Sequence, residues 1–318
     1  MKGIKLDRFV LLLIFMILLA YWLPGIEKII PLNQISTIGI SAIFFFYGLK
    51  LSPEKMKEGL SNWKLHIVIQ SATFFLFPLL ILLVLPFIHE ETHFTLWLAV
   101  FFLGALPSTV SSSVVMVSIA KGNIPGAIFN ASISGLMGIL VTPLLIGIFL
   151  EARLESFDLG QTFIELCLKI LLPVILGMAL HRFWGNFANQ HKKYLTMFDK
   201  AVILIIVYKS FSNSFSNGIF DDLNLMELLV VGFGVIALFF IVYNIIHMIS
   251  KRLAFNREDE ITALFCGSKK SLVHGTVFSS VLFAGMSSAG IFLVPIMIYH
   301  AFQLFIVSII AQKYQREV

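Results

Sequence analysis

The sequence predicts an all-α integral membrane protein: ten transmembrane helices arranged as two inverted five-helix repeats, with broken, crossing helices 4 and 9. Three observations carry that expectation. Hydrophobic residues occupy 58% of 318 positions and charged residues only 13%, where a soluble domain carries about a quarter charged. The apolar residues gather into charge-poor runs of the roughly 20 residues that a helix needs to cross the hydrocarbon core. Lysine and arginine fall almost entirely into alternate loops, the bias that marks the cytoplasmic side.

Taken in order, Phe9–Leu23 follows Lys2, Lys5 and Arg8 as a signal peptide would, but YWLPG at 21–25 lacks the small residues of a cleavage site. It is therefore expected to stay as helix 1. Ile29–Leu49, Leu65–His89, Thr92–Ala120 and Gly122–Leu150 supply helices 2 to 5. Less clean runs near 159–181 and 195–215 supply helices 6 and 7, with Glu165 and Lys169 spaced to neutralise each other and Lys209 placed to snorkel. Leu228–Ser250 is helix 8, and the stretch through Ser271–Gln312 turns at GMSSAG, 285–290, to complete helices 9 and 10.

With those spans, seventeen lysines and arginines face one side and two, Lys28 and Arg153, face the other. Both termini and the loops around Lys55, Lys193 and Arg252 are expected to be cytoplasmic, in the plasma (inner) membrane, with Glu90, Arg153 and Asp222 on the far side. The net charge of +5 lies in short loops against one leaflet rather than in a basic domain. The lipid bilayer is therefore the expected partner and nucleic acid is excluded. Cys167 and Cys266 lie inside spans and read as inert thiols. HExxH, GxSxG, Walker A and CxxC patterns are absent, so the chain does not read as an enzyme, and no cofactor or metal is expected.

Ten helices divide into two fives, residues 1–151 and 152–318, and an odd repeat length inverts the second copy. A shift of 163 residues pairs Gly104 with Gly267, Ser108 with Ser271, Ser113 with Thr276 and Gly122 with Gly285. These matches bracket the two spans whose centres are interrupted. Span 4 carries GALPSTVSSS, 104–113, where Pro107 removes a backbone donor and breaks the helix. Span 9 carries CGSKKSLVHG, 266–275, with two lysines at membrane depth. Discontinuous helices in corresponding positions of two halves point to a transport site.

The candidate substrate-binding residues follow from those breaks: Lys269, Lys270, Ser108, Thr109, Ser112, Ser113, Asn130, Ser271 and His274. A lysine at the centre of a membrane span costs at least a few kcal/mol, so something must compensate it. An anionic substrate is one compensation; a cap on the carbonyl end of span 9's own first half is the other. The hydroxyls after Pro107 suit either substrate or freed backbone groups. Asn130 lies on span 5, and Ser271 and His274 follow the lysines.

The motifs FYGLKLS at 46–52, PSTVSSSV with AKGNIPGAIFNAS at 107–132, and FCGSKKSLVHG at 265–275 resemble the bile acid:sodium symporter family, and within it the divergent SBF-like branch. The resemblance covers nearly the whole chain. It implies a core domain of spans 3, 4, 5, 8, 9 and 10 and a panel domain of spans 1, 2, 6 and 7, with spans 4 and 9 crossing near the membrane centre. Where the family's span 9 carries a glutamate and a glutamine–asparagine pair that coordinate sodium, this sequence has Phe265, Lys269 and Lys270. Neither an aryl ring nor an ammonium offers an oxygen ligand. The expectation is secondary transport of a small organic anion by alternating access without the usual sodium sites. Two alternatives stand beside it: sodium coupling through Ser111, Ser112, Ser113 and Asn130, and a membrane regulator on a vestigial transport fold.

Overall fold

A computed structural model describes residues 8–26, 30–51, 59, 62–151, 159–221, 224–284 and 286–316. Lys2, Lys5, Lys28, Lys55, Arg153, Asp222 and Gly285, used above, lie outside them. The described residues are helical with no strand. In chain order the helices are α1 (Arg8–Trp22), α2 (Leu32–Lys50), α3 (Trp63–Phe87), α4 (Glu91–Ala105), α5 (Ser111–Ile119) and α6 (Ile124–Glu151). After these come α7 (Gly160–Gln190), α8 (Lys192–Ser216), α9 (Leu225–Arg252), α10 (Arg257–Gly267), α11 (Leu272–Leu282) and α12 (Leu293–Arg316).

Among the described residues six helices are long and apolar enough to cross a membrane: α2, α3, α6, α7, α9 and the stretch Ser287–Arg316 that contains α12. The runs expected as spans 1, 4, 7 and 9 fall outside that set, each for a visible reason. Span 1 is the 15-residue α1. Spans 4 and 9 are divided into α4 with α5, and α10 with α11, each piece shorter than the bilayer. Span 7 lies in α8, which carries Lys192, Lys193, Asp199, Lys200 and Lys209.

The chain forms two compact units. One comprises residues 1–50, 160–224 and 276–293. In it α2 and α7 pack with their backbones in near contact: a Cβ on Gly48 would strike the Val174 carbonyl, and one on Gly177 would strike the Phe45 carbonyl. Lipid tails are as apolar as leucine, so helices associate by such close packing rather than by a hydrophobic drive. The His181 ring bonds the Leu49 carbonyl at 2.7 Å, and Lys169 pairs with Glu165 as the i, i+4 spacing requires. Against α8, Ser214 Oγ donates to the Ser287 carbonyl at 2.7 Å and accepts from the Gly290 amide at 2.9 Å, which ties the SSAG turn down.

The other unit comprises residues 51–159, 225–275 and 294–318. Its α3, α6 and α10 begin on asparagine caps: Asn62, Asn123 and Asn256 accept from the amides of Leu65, Gly126 and Asp259. The Asp259 carboxylate accepts from the side-chain amides of Asn62 and Asn123, both at 2.7 Å. One buried anion thus joins three helix N-termini, whose dipoles favour negative charge.

Candidate functional site

Two prolines create the centre of the second unit. In α3 the chain takes a π-helical turn over Ala72–Leu76, and the Phe77 amide bonds the Ala72 carbonyl. In that register the Thr73 carbonyl would look to residue 78, which is Pro78 and has no N–H. In α4 the helix ends at Ala105, Leu106 turns extended (φ −71, ψ 151), and Pro107 follows. The Pro107 ring lies on Gly138 of α6, where a Cβ would come within 2.7 Å of its Cγ. The amide of Ser108, which would have continued α4, bonds Ser134 Oγ instead at 2.9 Å.

Four carbonyls are left by these breaks, and side chains meet them. The Lys270 ammonium donates to the Thr73 carbonyl at 2.7 Å, Gly104 at 2.6 Å and Leu106 at 2.9 Å. It also lies over the Phe77 ring, 4.1 Å from the centroid. Thr142 of α6 donates to the Ala105 carbonyl at 2.7 Å. This corrects the expectation that a lysine caps span 9's own first half: Lys270 caps α4. The physical reason is that three carbonyls at and just past the end of α10 already have donors. Ser108 Oγ bonds the Cys266 carbonyl at 2.6 Å, Ser113 Oγ the Phe265 carbonyl at 3.4 Å, and Tyr299 the Ser268 carbonyl at 2.6 Å. The two breaks therefore exchange caps, a lysine for serines, and the Ser271 amide bonds the Pro107 carbonyl at 2.9 Å.

The remaining candidates divide. Thr109 Oγ1 bonds Ser112 Oγ at 2.6 Å and Ser113 Oγ at 3.2 Å, a hydroxyl cluster at the start of α5. Ser271 Oγ caps α11 by accepting from the His274 amide at 3.3 Å and bonds the His274 ring at 2.9 Å. Asn130 belongs to a different set: it bonds the His66 ring at 2.8 Å and accepts from Gln70 of α3 at 3.1 Å. Lys269 stands apart. It is 0% exposed, and its ammonium meets no hydrogen-bond acceptor. Among the described residues neither lysine has a carboxylate at ion-pair distance.

Sequence reasoning passed over Gln303, which is fully buried on α12. Its side-chain oxygen accepts from the Lys270 amide at 2.9 Å and its nitrogen donates to the Lys270 carbonyl at 2.7 Å. The signal was available: an amide alone in the apolar run of α12 needs a buried partner. Tyr299 and Thr142 carried the same kind of signal, and Pro78 marked a missing backbone donor as Pro107 did.

Among the described residues all regular structure is helical, with six apolar helices of spanning length and two broken helices that cap each other, which is the architecture of a multi-pass membrane protein. The chain belongs to the SBF-like CPA transporter family, whose model matches residues 7–316. It is 35% identical over 313 residues to the putative symporter YfeH of Escherichia coli, covering 98% of this chain and 94% of that protein. It is 31% identical over 318 residues to the sodium/bile acid cotransporter 7-B of Xenopus laevis, covering 98% and 92%. To the sodium/bile acid cotransporter 7 of Mus musculus it is 30% identical over 284 residues, covering 88% and 83%.

Proposed function

We propose that this chain is a secondary transporter that moves a small organic anion by alternating access, with Lys269 as the cationic group the anion meets. The observation that carries this reading is the Lys269 ammonium, buried without an acceptor at a helix break in a membrane transporter. A buried cation left unpaired is strongly unfavourable, and an anion is the partner that relieves it. Relatives named as a symporter and as sodium/bile acid cotransporters support a small-solute cargo, and bile acids are themselves carboxylic acids.

In this reading the two five-helix halves, 1–151 and 152–318, form inverted repeats. The core of spans 3, 4, 5, 8, 9 and 10 shifts against the panel of spans 1, 2, 6 and 7. Both termini face the cytoplasm across the plasma (inner) membrane. Thr109, Ser112 and Ser113 supply neutral donors to the anion, and sodium is not required for binding. The test is a thermal-shift screen of small carboxylates and sulfonates on the purified protein, with and without sodium, because a ligand that binds only the folded state raises its stability by mass action. The expected result is a sodium-independent shift lost in Lys269→Met. A shift that needs sodium and survives Lys269→Met overturns the assignment.

A further inference from the structure

We propose that the Lys270 ammonium is a tethered cation: it occupies a monovalent-cation site built by two proline breaks. The site is built of backbone. The Thr73, Gly104 and Leu106 carbonyls converge on Nζ at 2.6–2.9 Å, and the Phe77 ring closes one side. Rings of backbone carbonyls replace the hydration shell of potassium in selective pores, and an aromatic face attracts a bare cation. The carbonyls are free for this use because Pro78 offers no N–H to Thr73, because Ser108 turns its N–H away from Gly104 to Ser134, and because Leu106 lies just past the end of α4 at Ala105.

The charge is held from the backbone side as well. Gln303 pins both the amide and the carbonyl of Lys270, and Ser271 pins the chain to Pro107. The ammonium is thus fixed in place with its four-carbon stem as the tether. A tethered cation moves with its own unit and is never released, so binding and dissociation of an inorganic ion at this place drop out of the cycle. The occupant chemistry is that of ammonium, a primary alkylammonium or potassium, all of which the carbonyl set accepts. This assignment goes beyond the anion reading and does not depend on it, because Lys269, not Lys270, carries that reading.

The experiment empties the site and refills it. Lys270→Ala is purified in choline chloride and its melting temperature followed as ammonium, methylammonium, potassium or sodium chloride replaces choline at constant ionic strength. The expected result is a lower melting temperature than wild type in choline, with at least half of the loss recovered on saturating ammonium or methylammonium, and no response in wild type. An equal response of wild type and variant, or none that distinguishes ammonium from choline, overturns the proposal. Lys270→Gln decides the matter if Lys270→Ala cannot be recovered in any salt. Its amide keeps two donors and no charge, so wild-type stability there shows that hydrogen bonding alone fills the site, while a clear loss supports the tethered charge. All these readings are made without substrate, so a failure here leaves anion binding at Lys269 untouched.

Discussion

Replacing Gln303 with leucine removes one amide and leaves two buried backbone groups, the N–H and the carbonyl of Lys270, without partners. The side chain is fully buried, so water does not reach the vacated place to substitute. Each buried polar group left unpaired costs about 1–3 kcal/mol, which gives about 2–6 kcal/mol for the pair. A protein of this length loses about 2 °C per kcal/mol, the low end of the range for large domains, so the expected fall in melting temperature is about 4–12 °C. The assay is unfolding of the detergent-solubilised protein, with Gln312→Leu as a control at an exposed position on the same helix. Amide exchange over residues 268–271 should accelerate in Gln303→Leu and stay unchanged in Gln312→Leu. If Gln303→Leu melts with wild type and exchanges like it, the Lys270 backbone is not held by this amide, and the rigid placement of the ammonium loses its basis.

Four further outcomes follow from the structure. Lys269→Met should keep wild-type melting temperature, or exceed it, while weakening binding of whichever anion shifts wild type by about 1.5–3 kcal/mol, the value of a hydrogen bond to a charged group; titration calorimetry reads both the affinity and its loss. Asp259→Ala removes two bonds to the amides of Asn62 and Asn123 at the joined N-termini of α3, α6 and α10, and should cost about 3–6 kcal/mol on the same per-bond scale, seen as lowered thermal stability without a change in anion specificity. Gly177→Ala puts a methyl against the Phe45 carbonyl and should destabilise by about 1–3 kcal/mol. Gly234→Ala, with nothing within 4 Å of the added carbon, should be neutral or stabilising; equal melting of the two variants would contradict the close α2–α7 packing.

The sequence by itself determined the solvent, the helical class and the family. A chain this apolar needs lipid, and in lipid the backbone must satisfy its own hydrogen bonds. It also located both interruptions, because Pro107 cannot donate and two adjacent lysines cannot sit inside an unbroken apolar span; α4 ends at Ala105 and α10 at Gly267 accordingly. The Glu165–Lys169 pair was legible for the same local reason, since i, i+4 neighbours meet on any helix. Which lysine is held and which is free was decided only by the tertiary structure. The acceptors of Lys270 lie 164 to 197 residues away, and they are free only because of Pro78 and the turn at Ser108. Adjacent lysines look alike in a sequence, but across a helix break their side chains enter different surroundings: one meets three orphaned carbonyls, the other meets none. A local code reports where the backbone loses its partners; only the folded chain shows which side chain replaces them.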